Sequence, residues 1–242
     1  MIRRVLLALL LTLTLAAPLL ASKNNTAQNI DEGTFVIYVQ GRRIGTEKFS
    51  IAQRSDMSVT TSEVKIEDGA NKAGIGSELQ LLPNGDFRHY DWKELGPGKG
   101  VTSVDYSESF LIEHIIGSPG EKARDLTFMI PPSTNVLDDY FFAHRELLLW
   151  KYMAAACASA PDKNNCPMPK QQFGVFVPRQ QVTAMITVEY KGKEKVNLKG
   201  GQVELDRFDI TGELGEWNLW TDQNRKLVRV VVPSDSTEVV RE

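Results

Sequence analysis

Apolar and polar residues alternate along most of this chain with the period of two that sends successive side chains to opposite faces of a β-strand. The run TFVIYVQ (Thr34–Gln40) is β-branched and aromatic, and it meets GRRIGTEKFSIAQR through a turn at Gly41, which makes a hairpin. The pattern continues through SVTTSEVKIE, GSELQLL, DFRHYDWKE and VTSVDYSESFLIEHIIG, separated by the turn signals SDM, EDGANKAG, PNG and LGPGKG. Alternate residues of Thr102–Ile116 (Val104, Tyr106, Phe110, Ile112, His114 and Ile116) fall on one face, which Glu108 interrupts at a bend or rim. Strand-like runs return near the C-terminus with QQFGVFVP, QVTAMITVEYKG, EKVNLKG, QVELDRFDITG, EWNLWTDQ, KLVRVVVP and TEVVRE. In EWNLWTDQ, Trp217 and Leu219 point one way and Trp220 the other.

The middle breaks the rhythm. PPST (Pro131–Thr134) stops a strand and offers Ser133 or Thr134 as a helix N-cap, with Asp138 and Asp139 near the first turn. From there to about Ala156 there is no Gly or Pro and little β-branching, which predicts a helix over about 136–156. Leu137, Tyr140, Phe141, His144, Leu148 and Lys151 form one stripe flanked by Leu147, while Phe142, Trp150 and Met153 carry apolar character to other sides. Such a helix must be enclosed or face an apolar cavity. Arg145 and Glu146 read as its polar side, and its charges argue against a membrane span. Roughly twelve strands without βαβ alternation favour antiparallel pairing. The expected fold is mainly β: a long curved antiparallel sheet, a half-barrel with one inserted α-helix, with a β-sandwich as the alternative.

The first 22 residues have a basic start at Arg3 and Arg4, an apolar core Val5–Ala17, and small residues at Ala21 and Ser22 after Pro18. That is the layout of a cleaved secretory signal peptide, so the expected location is periplasmic or extracellular. Residues 23–32 read as a disordered lead-in, and 33–242 as a single domain with no transmembrane segment. Removing Arg3 and Arg4 leaves 26 of the 28 basic residues against 31 acidic ones, a net charge of −5. No concentrated basic face exists to bind nucleic acid, and the longest basic groupings, Lys191–Lys195 (KGKEK) and Arg42–Arg43, read as turns with solvated charges. Cys157 and Cys166, the two cysteines, read as a local disulfide closing the loop 157–166.

Motifs for catalysis are missing: no G-x-S-x-G, no phosphate loop, no dinucleotide fingerprint, and no histidine spacing for a metal. No cofactor is implied. His144 is the one enzymatic lead, as a base for a hydrolase or isomerase; it requires a carboxylate within hydrogen-bond reach and a solvent-accessible pocket.

The ends of the chain carry a resemblance. EGTFVIYVQGRRIGTEKFSI, with Gly41, Ile44 and Gly45, and EWNLWTDQNRKLVRVVVP, with Trp220, Asp222, Leu227, Val228 and Arg229, resemble a group of uncharacterised exported bacterial proteins. In those the first hairpin pairs with the last. That group resembles, at fold level, the half-barrels of the periplasmic lipoprotein-carrier superfamily. The resemblance implies a curved sheet with an apolar concave cavity for acyl chains, and it carries over no functional residue. The expected function is therefore non-catalytic binding of an apolar or lipid-like ligand in the concave face, lined by Phe35, Ile37, Phe110, Ile112, Phe141, His144, Leu148 and Trp217. An envelope scaffold or protein-interaction module, with an unidentified protein partner, is the rival.

Overall fold

The computed structural model describes residues 27–67, 73–96, 99–131, 133–158, 160 and 166–242. The signal-peptide assignment at 1–22, and residues 23–26 of the expected lead-in, lie outside them. The N-terminal arm runs as β1 (Gln28–Val39), β2 (Arg42–Gln53), β3 (Ser58–Ile66), β4 (Ala73–Leu81), β5 (Phe87–Glu94), β6 (Val101–Ser107), β7 (Phe110–Ile116) and β8 (Arg124–Phe128). The C-terminal arm contains β9 (Asn135–Val136), helix α1 (Ala143–Ala158), β10 (Gln171–Val177), β11 (Val182–Leu198), β12 (Gly201–Gly212), β13 (Gly215–Thr221), β14 (Leu227–Val232) and β15 (Thr237–Arg241).

The 15 strands of the described residues form one curved sheet in the order β8 to β1, then β15 down to β9, so β1 and β15 are neighbours at its centre. Phe35 pairs with Arg241 and Val39 with Thr237. Neighbouring strands are antiparallel except β9 and β10, which are parallel. The two free ends curl towards each other: the rings of Phe128 on β8 and Phe176 on β10 lie 4.6 Å apart. The result is a half-barrel that nearly closes.

The inner face is the apolar one. In β2, Phe49 and Ile51 point inward while Lys48 and Ser50 point outward, and the same alternation gives Val64, Leu79, Tyr90, Val104 and Leu111 on successive strands. Gly45 sits where a methyl group would collide with the Lys65 carbonyl oxygen, so the sheet needs glycine at this close approach. Helix α1 runs inside the curve, with every residue from Ala143 to Leu149 buried, as its apolar sequence required. Burial at about 25 cal/mol per Å² of apolar surface holds sheet and helix together.

Four expectations need correction. Residues 28–32 are not disordered: they extend β1, where Glu32 pairs with Ser50 and Asp31 is locked by ion pairs to Arg241 and Lys226. The helix does not begin near residue 136. Val136 pairs with Phe176, and Tyr140 takes a left-handed φ of 64°, which a helix cannot accept. Thr102–Ile116 is not one strand but the β6–β7 hairpin, turned at Glu108 with φ 55°. The two-residue turn reverses the parity, so Leu111 and Glu113 face inward, while Phe110 is 37% exposed on the outside. Finally, the charged run Lys191–Lys195 is no turn; β11 continues through a bulge between Tyr190 and Gly192, whose φ is 94°. The extended β11–β12 hairpin lays Val196 and Leu205 on the outward indole of Trp220, making a second small core outside the sheet.

Candidate ligand-binding site

The loop from Leu137 to Phe142 turns the chain from β9 into α1, and buried polar groups hold it. Asp138 is fully buried and accepts from Tyr90 Oη at 2.6 Å, from the Asp139 amide at 2.9 Å and from the Arg179 amide at 3.4 Å. Burial pushes its carboxyl up to about 6 despite these bonds. Glu113, facing inward from β7, is pushed to about 7 by burial and by the charge of Asp138.

The helix cap comes from another strand. Glu47 of β2 accepts from the Phe142 amide at 2.7 Å and the Ala143 amide at 3.4 Å, and also from Ser62 Oγ at 2.8 Å. The carboxylate thus satisfies N–H groups that open a helix without internal partners. Burial raises its value to about 7. Neither Ser133 nor Thr134 is close enough in sequence to cap a helix that starts at Ala143.

His144 follows, 1% exposed, with its ring packed edge-on to Tyr90 and tilted against Phe141. Its Nδ1 accepts a 3.4 Å bond from the Asp138 amide, and Nε2 has no partner. Burial, and then the charge of Arg145, lower its value to about 3, so it stays neutral. It has neither the side-chain carboxylate contact nor the open pocket that the enzymatic reading required.

Arg145 is the neighbour the sequence had assigned to a polar surface, yet it is 5% exposed. Its Nη1 donates to the carbonyls of Asp138 at 3.0 Å and Phe141 at 3.1 Å, while Nε has no acceptor. The guanidinium carbon lies 5.3 Å from the Phe142 ring centre and 5.7 Å from that of Trp217. Burial works against its charge, and Asp139, Glu47 and Asp138 support that charge only across space.

Arg145 and Trp217 border a pocket of about 620 Å³ at the end of the half-barrel where α1 begins. Val39, Leu137, Phe142, Leu214 and Val232 supply its apolar walls; Asp139, Glu213 and Asp235 sit among the turns that frame it. The volume is in the range of small-molecule sites. Three other hollows among the described residues lie elsewhere, the smallest, of about 250 Å³, beside Ile130, Gly174 and Met185. Of the larger two, one crosses β1–β5 through charged residues such as Lys48, Glu63 and Lys93; the other lies between the β11–β12 hairpin tip and the outer side of β1 and β15.

The eight residues expected to line a ligand cavity therefore separate into three groups. Phe35, Ile37, Phe141, His144 and Leu148 are packed in the interior, because α1 fills the concave space instead of covering it. Phe110 and Ile112 lie on the outer side of β7. Trp217 borders the pocket. The residues missed were Arg145 and Glu47; an enclosed apolar helix implied that its own charges would be enclosed too, whereas nothing local marks Glu47 as a distant cap.

Away from the pocket, Asp31 is bound by both Nη atoms of Arg241, at 2.7 and 2.8 Å, and by Lys226 Nζ at 2.6 Å. Burial would raise its value, but these cations lower it. Glu146, on the first turn of α1, faces this cluster and is driven to about 9 by burial and by Asp31. It is a neutral acid at pH 7. The Cys157–Cys166 disulfide follows at the helix C-terminus, with a Cα separation of 5.0 Å. Among the described residues no group of three or more His, Cys, Asp or Glu side chains is arranged to hold a metal ion, and no helix is long and apolar enough to cross a membrane.

The fold and pocket define a mainly β half-barrel wrapped around one internal helix, with an opening beside the helix N-terminus. A family described as Domain of unknown function (DUF6134) matches residues 159–241, the span of β10–β15. The crystal structure titled as a beta-barrel-like protein of domain of unknown function DUF1849 from Brucella abortus superimposes with a TM-score of 0.51 at 8% identity, covering 87% of this chain and 94% of that one. That likeness shows the fold alone. No curated protein matches the sequence. These comparisons identify no catalytic family.

Proposed function

We propose that this protein is an exported, non-catalytic binder of an apolar, lipid-like small molecule, held at the mouth of the half-barrel and not along its concave face. The observation that carries this reading is the 620 Å³ pocket, whose wall joins Trp217, Val39, Leu137, Phe142, Leu214 and Val232 to an at least equal share of polar groups. Apolar burial against those side chains contributes about 0.8 kcal/mol per buried methylene. The signal-like N-terminal sequence and the disulfide support export. The carrier-like resemblance of the chain ends points to the same ligand class.

A neutral solvatochromic dye such as Nile red tests the site. The native protein should bind it with a blue-shifted emission. Leu214→Trp, which fills the pocket from a turn position, should weaken that binding at least about tenfold, the cost of losing a few buried methylenes. Unchanged binding in a folded Leu214→Trp variant would move the site to another hollow and defeat the reading.

A further inference from the structure

Resting on that pocket, we infer that the ligand is amphiphilic with an oxyanion head, and that Arg145 receives the head while the apolar tail lies along Trp217, Phe142 and Leu214. The inference begins with an unused donor. Arg145 spends Nη1 on two backbone carbonyls, leaving Nε buried without an acceptor. An unsatisfied donor inside a protein is costly, and a guanidinium more so.

The geometry narrows the acceptor. Phe142 and Trp217 lie against the guanidinium, and its N–H groups bond only in its own plane. Nε itself is covered by the packing around it, so a head group in the pocket meets this edge only by displacing that cover; the Nε edge is the one that matches the two oxygens of a carboxylate or phosphate. Among the described residues no acid meets that edge: Asp138 contributes only its carbonyl, and Glu47 is committed to Ser62 and the helix amides. Around the pocket, Asp139 is engaged by Gln180 Nε2 at 2.7 Å and Asp235 by the Thr237 amide at 3.0 Å. Glu213 stands exposed on its turn. These three acids oppose an anion by long-range repulsion through solvent, where salt screens them, whereas Arg145 acts at contact inside the wall.

Titration calorimetry with four ligands of one chain length decides it: octanoate, octyl phosphate, octanol and octyltrimethylammonium. The native protein should bind octanoate or octyl phosphate at least about tenfold more tightly than octanol, and the cation least, because a hydrogen bond to a charged group adds that much. Which of the two anions binds better identifies the head as carboxylate or phosphate. Arg145→Gln should abolish the preference while still binding octanol, and Arg145→Lys should restore part of it. Equal binding of octanol and both anions by the native protein would overturn the role of Arg145 and leave the pocket itself standing. A preference that persists in Arg145→Gln would also overturn it. Failure of all four ligands to bind would bring down pocket and head group together. Should the buried substitutions prevent folding, the ranking of the four ligands by the native protein still separates these outcomes.

Discussion

Glu146 shows how a single enclosed acid shapes the behaviour of the molecule. Its folded value of about 9 stands against an ordinary 4.5, so the folded protein holds this proton more tightly than the unfolded chain does. The stability it contributes is complete below pH 4.5 and is lost as the pH rises towards 9. Glu47 and Glu113 at about 7, and Asp138 at about 6, act with the same sign but finish their titration earlier. Between pH 7 and 9 the loss therefore belongs mainly to Glu146, with a slope of at most about 1.4 kcal/mol per pH unit. Denaturant melts of the native protein across that range should show stability falling; Glu146→Gln, neutral throughout, should flatten the curve. A native curve that rises from pH 7 to 9 would contradict the assignment. Little of this was legible in the sequence, where Arg145 and Glu146 passed for a solvated face. Their burial depends on how far the sheet wraps, and no local pattern states that.

At the scale of elements, α1 was legible as a helix from its composition and misplaced at its start. The apolar stripe continues back through Leu137 and Tyr140, but the chain there is held by β9 pairing and by the left-handed Tyr140. The true start is fixed by Glu47, 95 residues before Phe142, and a cap that distant leaves no mark in the helix's own sequence. Glu47→Ala should cost about 2–4 kcal/mol in equilibrium unfolding, since it strands two helix amides and Ser62 in the interior. Ser133→Ala, at the position that sequence spacing favoured, should change stability by less than about 0.5 kcal/mol. The reverse ranking would show that the helix is capped from its own loop. The β6–β7 hairpin teaches a related lesson: alternation survives a two-residue turn, but the faces exchange. Phe110 and Ile112 were read on the wrong side for that reason, although both belong to genuine strands.

For the whole molecule, curved antiparallel strands with one inserted helix followed directly from the period-two pattern and its single interruption. The pairing of the chain's two ends was also anticipated, with one refinement: β1 is bound by β15, one strand beyond the Trp220–Arg229 segment that carried the resemblance. The strength of curvature was not legible. It determines that α1 fills the concavity and that the open space moves to the mouth, where Trp217 and Arg145 meet. The most direct test is native mass spectrometry of the mature protein purified from the exported fraction, followed by organic extraction. The account predicts an adduct of lipid mass, released by solvent and anionic once free. A bare protein mass in gentle conditions, unchanged when octanoate or octyl phosphate is added, would contradict it.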